Sequence, residues 1–195
     1  MGRRLGRKRL YSLNTVGQSV SSSVGAGVSA SVGHRKVSRQ GQEIVTEITV
    51  DLGHDGAGVS AAAVNNTIIG YSSSAGVTNQ AAHLGLINRA ENGVVTDVEM
   101  VCVEAPTGGP TRIQLAFASA ATSTFSGSGG TLIVHGNQAV GTSSAKTYDA
   151  NELEHQYLYL RTGEAAPTNR ESRQYTAGKL IIRLYGYATP EDQNQ

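Results

Sequence analysis

The sequence contains no tryptophan, a single cysteine and only four prolines among its 195 residues. One cysteine excludes an internal disulfide, and the position of Cys102 in the strand-like run Val98–Glu104 predicts a small core hydrophobe. Aromatic residues make up 5% of the chain, so we expect a largely aliphatic core. No apolar stretch approaches the roughly 18 residues of a membrane span. We therefore expect no membrane partner, and no continuous apolar run near the N-terminus predicts a cleaved signal peptide.

Acidic residues are absent from the first 42 positions. That stretch holds eight basic residues and carries +8, whereas the remainder, with 8 basic and 15 acidic residues, carries −7. The formal net charge of +1 thus conceals two oppositely charged parts. A basic, low-complexity arm on an acidic body is typical of a chain that binds a neighbouring subunit or a polyanion. The eight basic residues are Arg3, Arg4, Arg7, Lys8, Arg9, Arg35, Lys36 and Arg39.

Within this arm, valines recur every four residues between Ser, Gly and Ala. Glycines oppose a helix there, and an even spacing places all five valines on one face of an extended chain. We interpret residues 1–42 as an extended arm whose valines pack against a neighbour, as a strand adds to a sheet edge. A flexible linker with incidental valines is the alternative. The five are Val16, Val20, Val24, Val28 and Val32.

Residues 43–189 show the two-residue alternation of strands and no amphipathic helix of useful length. The clearest run, Glu43–Leu52, places Ile44, Ile48 and Val50 on one face and acidic residues on the other. Asn92-Gly93 predicts a tight hairpin turn between two further strands. With 24 glycines and short polar loops, the pattern predicts an all-β fold, an antiparallel β-sandwich or jelly-roll-like body. Residues 190–195 read as a polar tail.

Motifs that carry chemistry are not found. The five histidines lack metal-ligand spacing, and no phosphate-binding loop or nucleophile elbow is present. We therefore expect no enzyme activity, no metal and no cofactor. Two tyrosine pairs, Tyr157 with Tyr159 and Tyr185 with Tyr187, each share a strand face. If their strands are neighbours they form a tyrosine ladder, either for cross-strand packing or as a platform for stacking sugars.

Several segments resemble small virion structural proteins of marine tailed bacteriophages (cyanophage-like). They are the opening Met1–Asn14 (MGRRLGRKRLYSLN) with the Gly/Ser/Val tract after it, the strand start Ile44–Glu47 (IVTE), Val98–Glu104 (VEMVCVE) and Tyr175–Leu184 (YTAGKLIIRL). The resemblance implies a head-associated protein, namely a capsid decoration (cement) protein of the virion that is assembled in the host cytoplasm. Such proteins are β-rich, often trimeric homo-oligomers with extended termini that clasp the major capsid protein. It carries over no individual functional residue.

The leading hypothesis is therefore a decoration protein whose arm binds shell subunits through its basic residues and valines. One alternative is a coat subunit whose basic arm contacts packaged nucleic acid. Another is a glycan-binding head or tail-fibre component that uses the tyrosines, and a small enzyme is the last. The candidate partner-binding residues are Arg3, Arg4, Arg7, Lys8, Arg9, Val16, Val20, Val24, Val28, Val32, Arg35, Lys36 and Arg39.

Overall fold

A computed structural model describes the chain over residues 18–19, 24–29, 31–54, 58–61, 66–70, 81–119, 121, 131–134, 140–149, 152–163 and 173–189. Twelve strands and one helical turn make up the regular structure of these residues. The prediction of an all-β fold built from antiparallel sheets is confirmed. In chain order the elements are β1 (Gln18–Ser19), β2 (Val32–Gln40), β3 (Glu43–Asp51), β4 (Ser60–Ala61), β5 (His83–Leu86), α1 (Arg89–Asn92), β6 (Val94–Thr107), β7 (Ile113–Ala118), β8 (Thr131–Val134), β9 (Ser143–Thr147), β10 (Tyr157–Thr162), β11 (Arg173–Gln174) and β12 (Ala177–Tyr187).

The strands form a six-stranded sheet of order β1-β2-β3-β12-β6-β9 and a four-stranded sheet of order β5-β10-β7-β8, with a small β4-β11 pair beside them. Four strands of the first sheet and all four of the second follow a nested scheme. In chain order β3 pairs with β12, β5 with β10, β6 with β9 and β7 with β8, all antiparallel. Of these eight strands, the first therefore pairs with the last and the second with the second-last, as in a long hairpin that is rolled into two sheets. This is the jelly-roll arrangement.

The core lies between the two sheets and is largely aliphatic, as the composition predicts. In β3 and β12 alternate residues are buried, so Ile48, Ile182 and their neighbours face the second sheet while charged side chains face outward. In β6 the same alternation buries Met100 and Cys102. Cys102 is 1% exposed, which agrees with its expected packing role, and burial raises the pKa of its thiol.

The hairpin predicted at Asn92-Gly93 is wrong. These residues end the single helical turn α1, which connects β5 in one sheet to β6 in the other. Asn88 caps the turn by accepting a hydrogen bond from the Glu91 backbone N–H. The Asn92 side chain is buried and donates to Thr46 Oγ1 at 2.7 Å. Asn92 is thus committed to a tertiary contact, and only Gly93, with φ of 66°, follows the local turn preference.

The boundary expected at residue 42 is also wrong. β2 pairs with β3 along its whole length through a two-residue connection, Gly41-Gln42, and so belongs to the body. The three described valines of the period pack inward: Val28, in the preceding turn, is 2% exposed, and Val24 and Val32 contact the core cluster. Val16 and Val20 lie outside the described residues. The four-residue valine period therefore marks the protein's own core where the structure describes it, rather than an extended edge presented to a neighbour.

Arg35 and Arg39, expected to bind a partner, bind their own chain instead. Arg35 is 3% exposed; its Nη1 lies 3.2 Å from Glu91 Oε2 and its Nη2 donates to the Leu86 carbonyl at 3.1 Å. Burial lowers the pKa of Arg35, and Glu91 opposes that shift. Arg39 donates to the Ala90 carbonyl. Both guanidinium groups attach β2 to the segment that carries α1 by donating to its backbone carbonyls.

Replacing Arg35 with Met should lower the free energy of unfolding by about 1–3 kcal/mol, because the Leu86 carbonyl and Glu91 lose their donor. Lys36, the adjacent exposed residue of β2, is the matched control. Lys36→Met should change the free energy of unfolding by no more than about 0.5 kcal/mol. Urea unfolding of both variants measures the difference. If both substitutions changed the free energy of unfolding equally little, Arg35 would not anchor β2 to the body as described.

Gly25 offers a second test of where the body begins. Its N–H donates to the His83 carbonyl at 2.8 Å, and a Cβ built there would lie 2.3 Å from the Ala81 carbonyl oxygen. Gly25→Ala should therefore destabilise the fold by about 1–3 kcal/mol in chemical unfolding. Gly33→Ala is the control, since its Cβ would meet only one atom, at 4.0 Å. A harmless Gly25→Ala would show that residues 24–29 do not pack as described.

Candidate functional site: the acidic face of the six-stranded sheet

The outward side of the six-stranded sheet carries most of the organised charge among the described residues. It is created by the pairing of β12 with β3 on one side and with β6 on the other. Because side chains alternate along a strand, the outward positions of these strands and of β2 align in rows across the sheet. We call this surface the acidic face and define it by its charged residues: Lys36, Glu43, Glu47, Asp51, Asp97, Glu99, Glu104, Lys179 and Arg183.

One row places a single cation between two carboxylates. Arg183 donates from Nε to Glu47 Oε2 at 3.0 Å and from Nη1 to Glu99 Oε2 at 3.3 Å. The three residues are direct neighbours across β3, β12 and β6. Hydrogen bonding to Glu47 is the largest cause that raises the pKa of Arg183. The row holds β3, β12 and β6 in register, and Lys36 of β2 lies opposite Glu47 at its outer end.

Glu99 accepts hydrogen bonds from two uncharged donors in addition to Arg183. Ser143 of β9 donates to its Oε1 at 2.8 Å, and the Tyr185 hydroxyl donates to its Oε2 at 2.9 Å. The bond from Ser143 is the largest cause that lowers the pKa of Glu99, helped by Tyr185 and Arg183 and opposed by burial. Glu99 therefore stays ionised and connects β9, β6 and β12 through side chains alone.

A second row repeats the arrangement at the other end of β12. Lys179 Nζ lies 3.8 Å from Asp51 Oδ2 and 3.5 Å from Glu104 Oε2. The strand β6 has a register shift here, so that Val103 is an extra residue opposite β12 and is 47% exposed. This row is more open than the first, since the Lys179 side chain is 48% exposed. It carries a net charge of −1.

The remaining charges of the face do not restore neutrality. Asp97 accepts hydrogen bonds from Thr96 and Thr147, which are uncharged donors. Glu43 is exposed at the end of β3, and Lys36 lies opposite Glu47. Six carboxylates against three cations give the face −3. On a surface of this kind, the summed electrostatic field matters more for binding a partner than the energy of each exposed ion pair does.

The predicted site residues divide into three groups. Arg3, Arg4, Arg7, Lys8, Arg9, Val16 and Val20 lie outside the described residues. Lys36 is exposed on the acidic face, and its predicted role in binding a partner stays a prediction. Arg35, Arg39 and the valines 24, 28 and 32 serve the body, as described above. Sequence reasoning placed Glu43, Glu47 and Asp51 on one strand face but missed their cations, because nothing local indicates that β12 lies beside β3.

The tyrosine ladder is not formed. β10, with Tyr157 and Tyr159, belongs to the four-stranded sheet, whereas β12, with Tyr185 and Tyr187, belongs to the six-stranded sheet. Tyr159 is fully buried, and both β10 tyrosines pack around His83, with ring centroids 4.8 and 6.2 Å from it. The observation that motivated a sugar platform is therefore absent.

Among the described residues, no set of three or more His, Cys, Asp and Glu side chains is arranged to hold a metal ion. The search for a helix long and apolar enough to cross a membrane found none in the same part of the chain. Comparison with protein-family models, with curated proteins and with solved structures gives no match to this chain. Its function must therefore be inferred from its own residues.

The ionised Glu99 predicts a pH dependence of stability. Because its pKa is lowered in the folded protein, its contribution is present above about pH 4.5 and is lost as the pH falls through the folded pKa. Glu99→Gln should cost up to about 1 kcal/mol at pH 7, and the difference from the parent protein should shrink towards pH 3. Glu43→Gln, on the same face, should cost less than about 0.5 kcal/mol at either pH. An undiminished Glu99→Gln effect at pH 3 would contradict an ionic origin.

Proposed function

We propose that this chain is a virion structural protein, a capsid decoration protein that stabilises an icosahedral phage head by binding the major capsid protein. It acts as a homo-oligomer, with a trimer favoured, in a particle assembled in the host cytoplasm. Its jelly-roll body sits on the shell, and its N-terminal basic segment (residues 1–17) spreads over adjoining subunits. The chain has no reaction to perform in this role.

The observation that carries the proposal is the jelly-roll body joined to a basic N-terminal segment. Jelly rolls recur in viral capsid domains. They also occur in lectins and cupins, so the topology by itself assigns no function. The resemblance of Met1–Asn14 and of the β6 and β12 segments to phage virion proteins favours the viral reading over those two.

The corrected boundary redefines the segment that would bind the shell. Residues 1–17 hold five basic and no acidic residues and carry +5, whereas residues 18–195 hold 11 basic and 15 acidic residues and carry −4. Four of the five cations are arginines, whose planar fork pairs with two carboxylate oxygens at once. Each copy contributes only a few such pairs, so the stabilisation of a shell comes from many copies acting together.

The nucleic-acid alternative rests on the same five charges. Arg35 and Arg39 are engaged in the body, so the part available to phosphate is smaller than the eight charges of residues 1–42. Five phosphate contacts would give binding with a logarithmic salt slope of about −4 to −5. A short segment of this kind suits a protein surface better than it suits a packaged genome.

Cosedimentation tests the proposal directly. Heads assembled without this chain are mixed with the purified protein and pelleted, and the bound fraction is measured across a salt series. We expect the full chain to pellet with the heads, and a variant with Arg3→Glu, Arg7→Glu and Arg9→Glu to remain in solution. Arg112→Glu, at an exposed position of the body, is the control and should pellet normally.

Three outcomes would count against a decoration role. If the full chain stays in solution with such heads at low salt, the proposed partner is wrong. If the protein binds naked double-stranded DNA with the steep salt slope given above and does not pellet with the heads, the coat-subunit alternative replaces the decoration role. Retention on a sugar array that survives the arginine substitutions would instead favour the glycan-binding alternative.

A further inference from the structure

We propose that the edge strand β9 pairs with β9 of a second copy of this chain, antiparallel about a two-fold axis at Ala145, so that two six-stranded sheets join into one continuous sheet. The inference goes beyond the decoration role, because it names a contact between two copies of this chain and involves no shell. β9 is the last strand of the six-stranded sheet, beside β6. Within the described residues, no strand pairs with its other side.

The backbone of β9 directs hydrogen-bonding groups towards solvent at alternate residues. The Tyr148 N–H donates to the Thr96 carbonyl at 2.6 Å, in the same register as the ladder between β6 and β9. In an antiparallel ladder this bond fixes the alternation, so even-numbered residues of β9 bond to β6 and odd-numbered residues face away from it. The odd-numbered residues are all exposed. They are Ser143, Ala145 and Thr147.

Two copies of this edge are complementary to each other. In an antiparallel pair centred on Ala145, the two Ala145 residues face each other, and Ser143 of one copy faces Thr147 of the second copy. Each outward N–H then meets an outward C=O of the other copy. A register shifted by one residue would lose these bonds, because outward-facing residues would lie opposite residues that already bond to β6.

The side chains on the acidic-face side of β9 leave room for a second strand. Ala145 carries only a methyl group and is exposed. Ser143 Oγ donates to Glu99 Oε1 at 2.8 Å, and Thr147 Oγ1 donates to Asp97 Oδ1 at 2.7 Å. Both hydroxyls are therefore turned back towards β6 and away from the edge. A second backbone can approach β9 to the usual strand spacing of about 4.8 Å.

The one charge of β9 selects the register. Lys146 is the only charged residue of the strand, and its Nζ lies 4.6 Å from the centroid of the Tyr148 ring. In the register centred on Ala145, Lys146 faces Ser144 of the second copy. A register centred on Lys146 would place two lysines directly opposite each other, which is unfavourable. A lysine at a sheet edge also opposes unlimited strand addition, so we expect a closed pair.

The negative charge of the acidic face does not oppose this pairing. Glu99 lies opposite Ala145 on β6, so the row through the axis carries one Glu99 from each copy. Three strand spacings, about 14 Å, separate the two carboxylates. This distance exceeds the Debye length of about 8 Å at physiological ionic strength. Because backbone hydrogen bonds hold the pair together, association should not weaken as the salt concentration rises.

Disulfide crosslinking of the full-length protein tests the axis directly. The only cysteine of the parent chain is buried, so an added cysteine supplies the one exposed thiol. Ala145→Cys places two thiols across the axis on residues whose Cα atoms are about 5.5 Å apart, which a disulfide can span. Oxidation with copper phenanthroline should form a covalent dimer at least about tenfold faster than in Glu152→Cys, an exposed position outside β9 that records random collisions.

Charge pairing at the axis is the second test. Ala145→Lys alone and Ala145→Glu alone each place like charges opposite each other, and each should associate more weakly than the parent chain in sedimentation velocity. An equimolar mixture should associate again, because lysine then faces glutamate. Glu152→Gln makes the same change of net charge as Ala145→Lys and should behave like the parent chain. Thermal unfolding checks that every variant is folded.

The parent chain should associate reversibly into an even number of copies. With five residues on each side the interface is small, so the equilibrium should depend on protein concentration. If the favoured trimer also forms, the β9 contact would join trimers in pairs. A chain that stays monomeric, or that forms trimers alone, refutes the pairing and leaves the edge to a strand of another protein.

Two further results would overturn the assigned axis. One is crosslinking of Ala145→Cys that is no faster than that of Glu152→Cys. The other is a mixture of Ala145→Lys and Ala145→Glu that associates no better than either variant alone. Neither result bears on the decoration role, because cosedimentation with heads is measured through the arginines of residues 1–17 and does not require β9 pairing. Failure of one proposal is therefore distinguishable from failure of the other.

Discussion

The antiparallel pairing of β12 with β3 on one side and β6 on the other is the constraint on which the rest of the structure depends. It joins the beginning and the end of the described body and closes the rolled hairpin of strands. Its inward side supplies Leu180, Ile182 and Leu184 to the core. Its outward side places Lys179 and Arg183 between carboxylates of both neighbours. Since these contacts are distant in sequence, the six-stranded sheet is complete only when the C-terminal strand pairs between β3 and β6.

The two acid–base–acid rows on this sheet are more informative about recognition than about stability. Pairs at exposed positions are worth at most about 1 kcal/mol each, so removing a row would not unfold the protein. A cation shared by two carboxylates keeps three strands in register and still leaves the surface negative. Such a surface favours cationic partners and repels acidic ones, including nucleic acid.

The basic residues near the N-terminus therefore have two roles. Arg35 and Arg39 satisfy backbone carbonyls beside α1 and hold β2 against the body. Lys36, between them on the strand, points to the other side and is exposed. Charge counted along the sequence cannot separate these roles, because adjacent residues of a strand face opposite environments. The other five basic residues before Glu43 lie in residues 1–17, outside the described part of the chain.

Much of the fold follows from local pattern, and most of the candidate site does not. The two-residue alternation in Glu43–Asp51 and Ala177–Tyr187 determined that these segments are strands and which side chains share a face. The absence of acidic residues before Glu43 is likewise a property of the sequence alone. The order of the strands, the burial of Arg35 and Val28, and the helical turn at Asn92 were decided by the tertiary structure. The physical reason is that alternation depends on backbone geometry within one strand, whereas pairing and burial depend on residues far apart in the chain. Arg183 lies between Glu47 and Glu99 only because the roll brings three distant strands side by side.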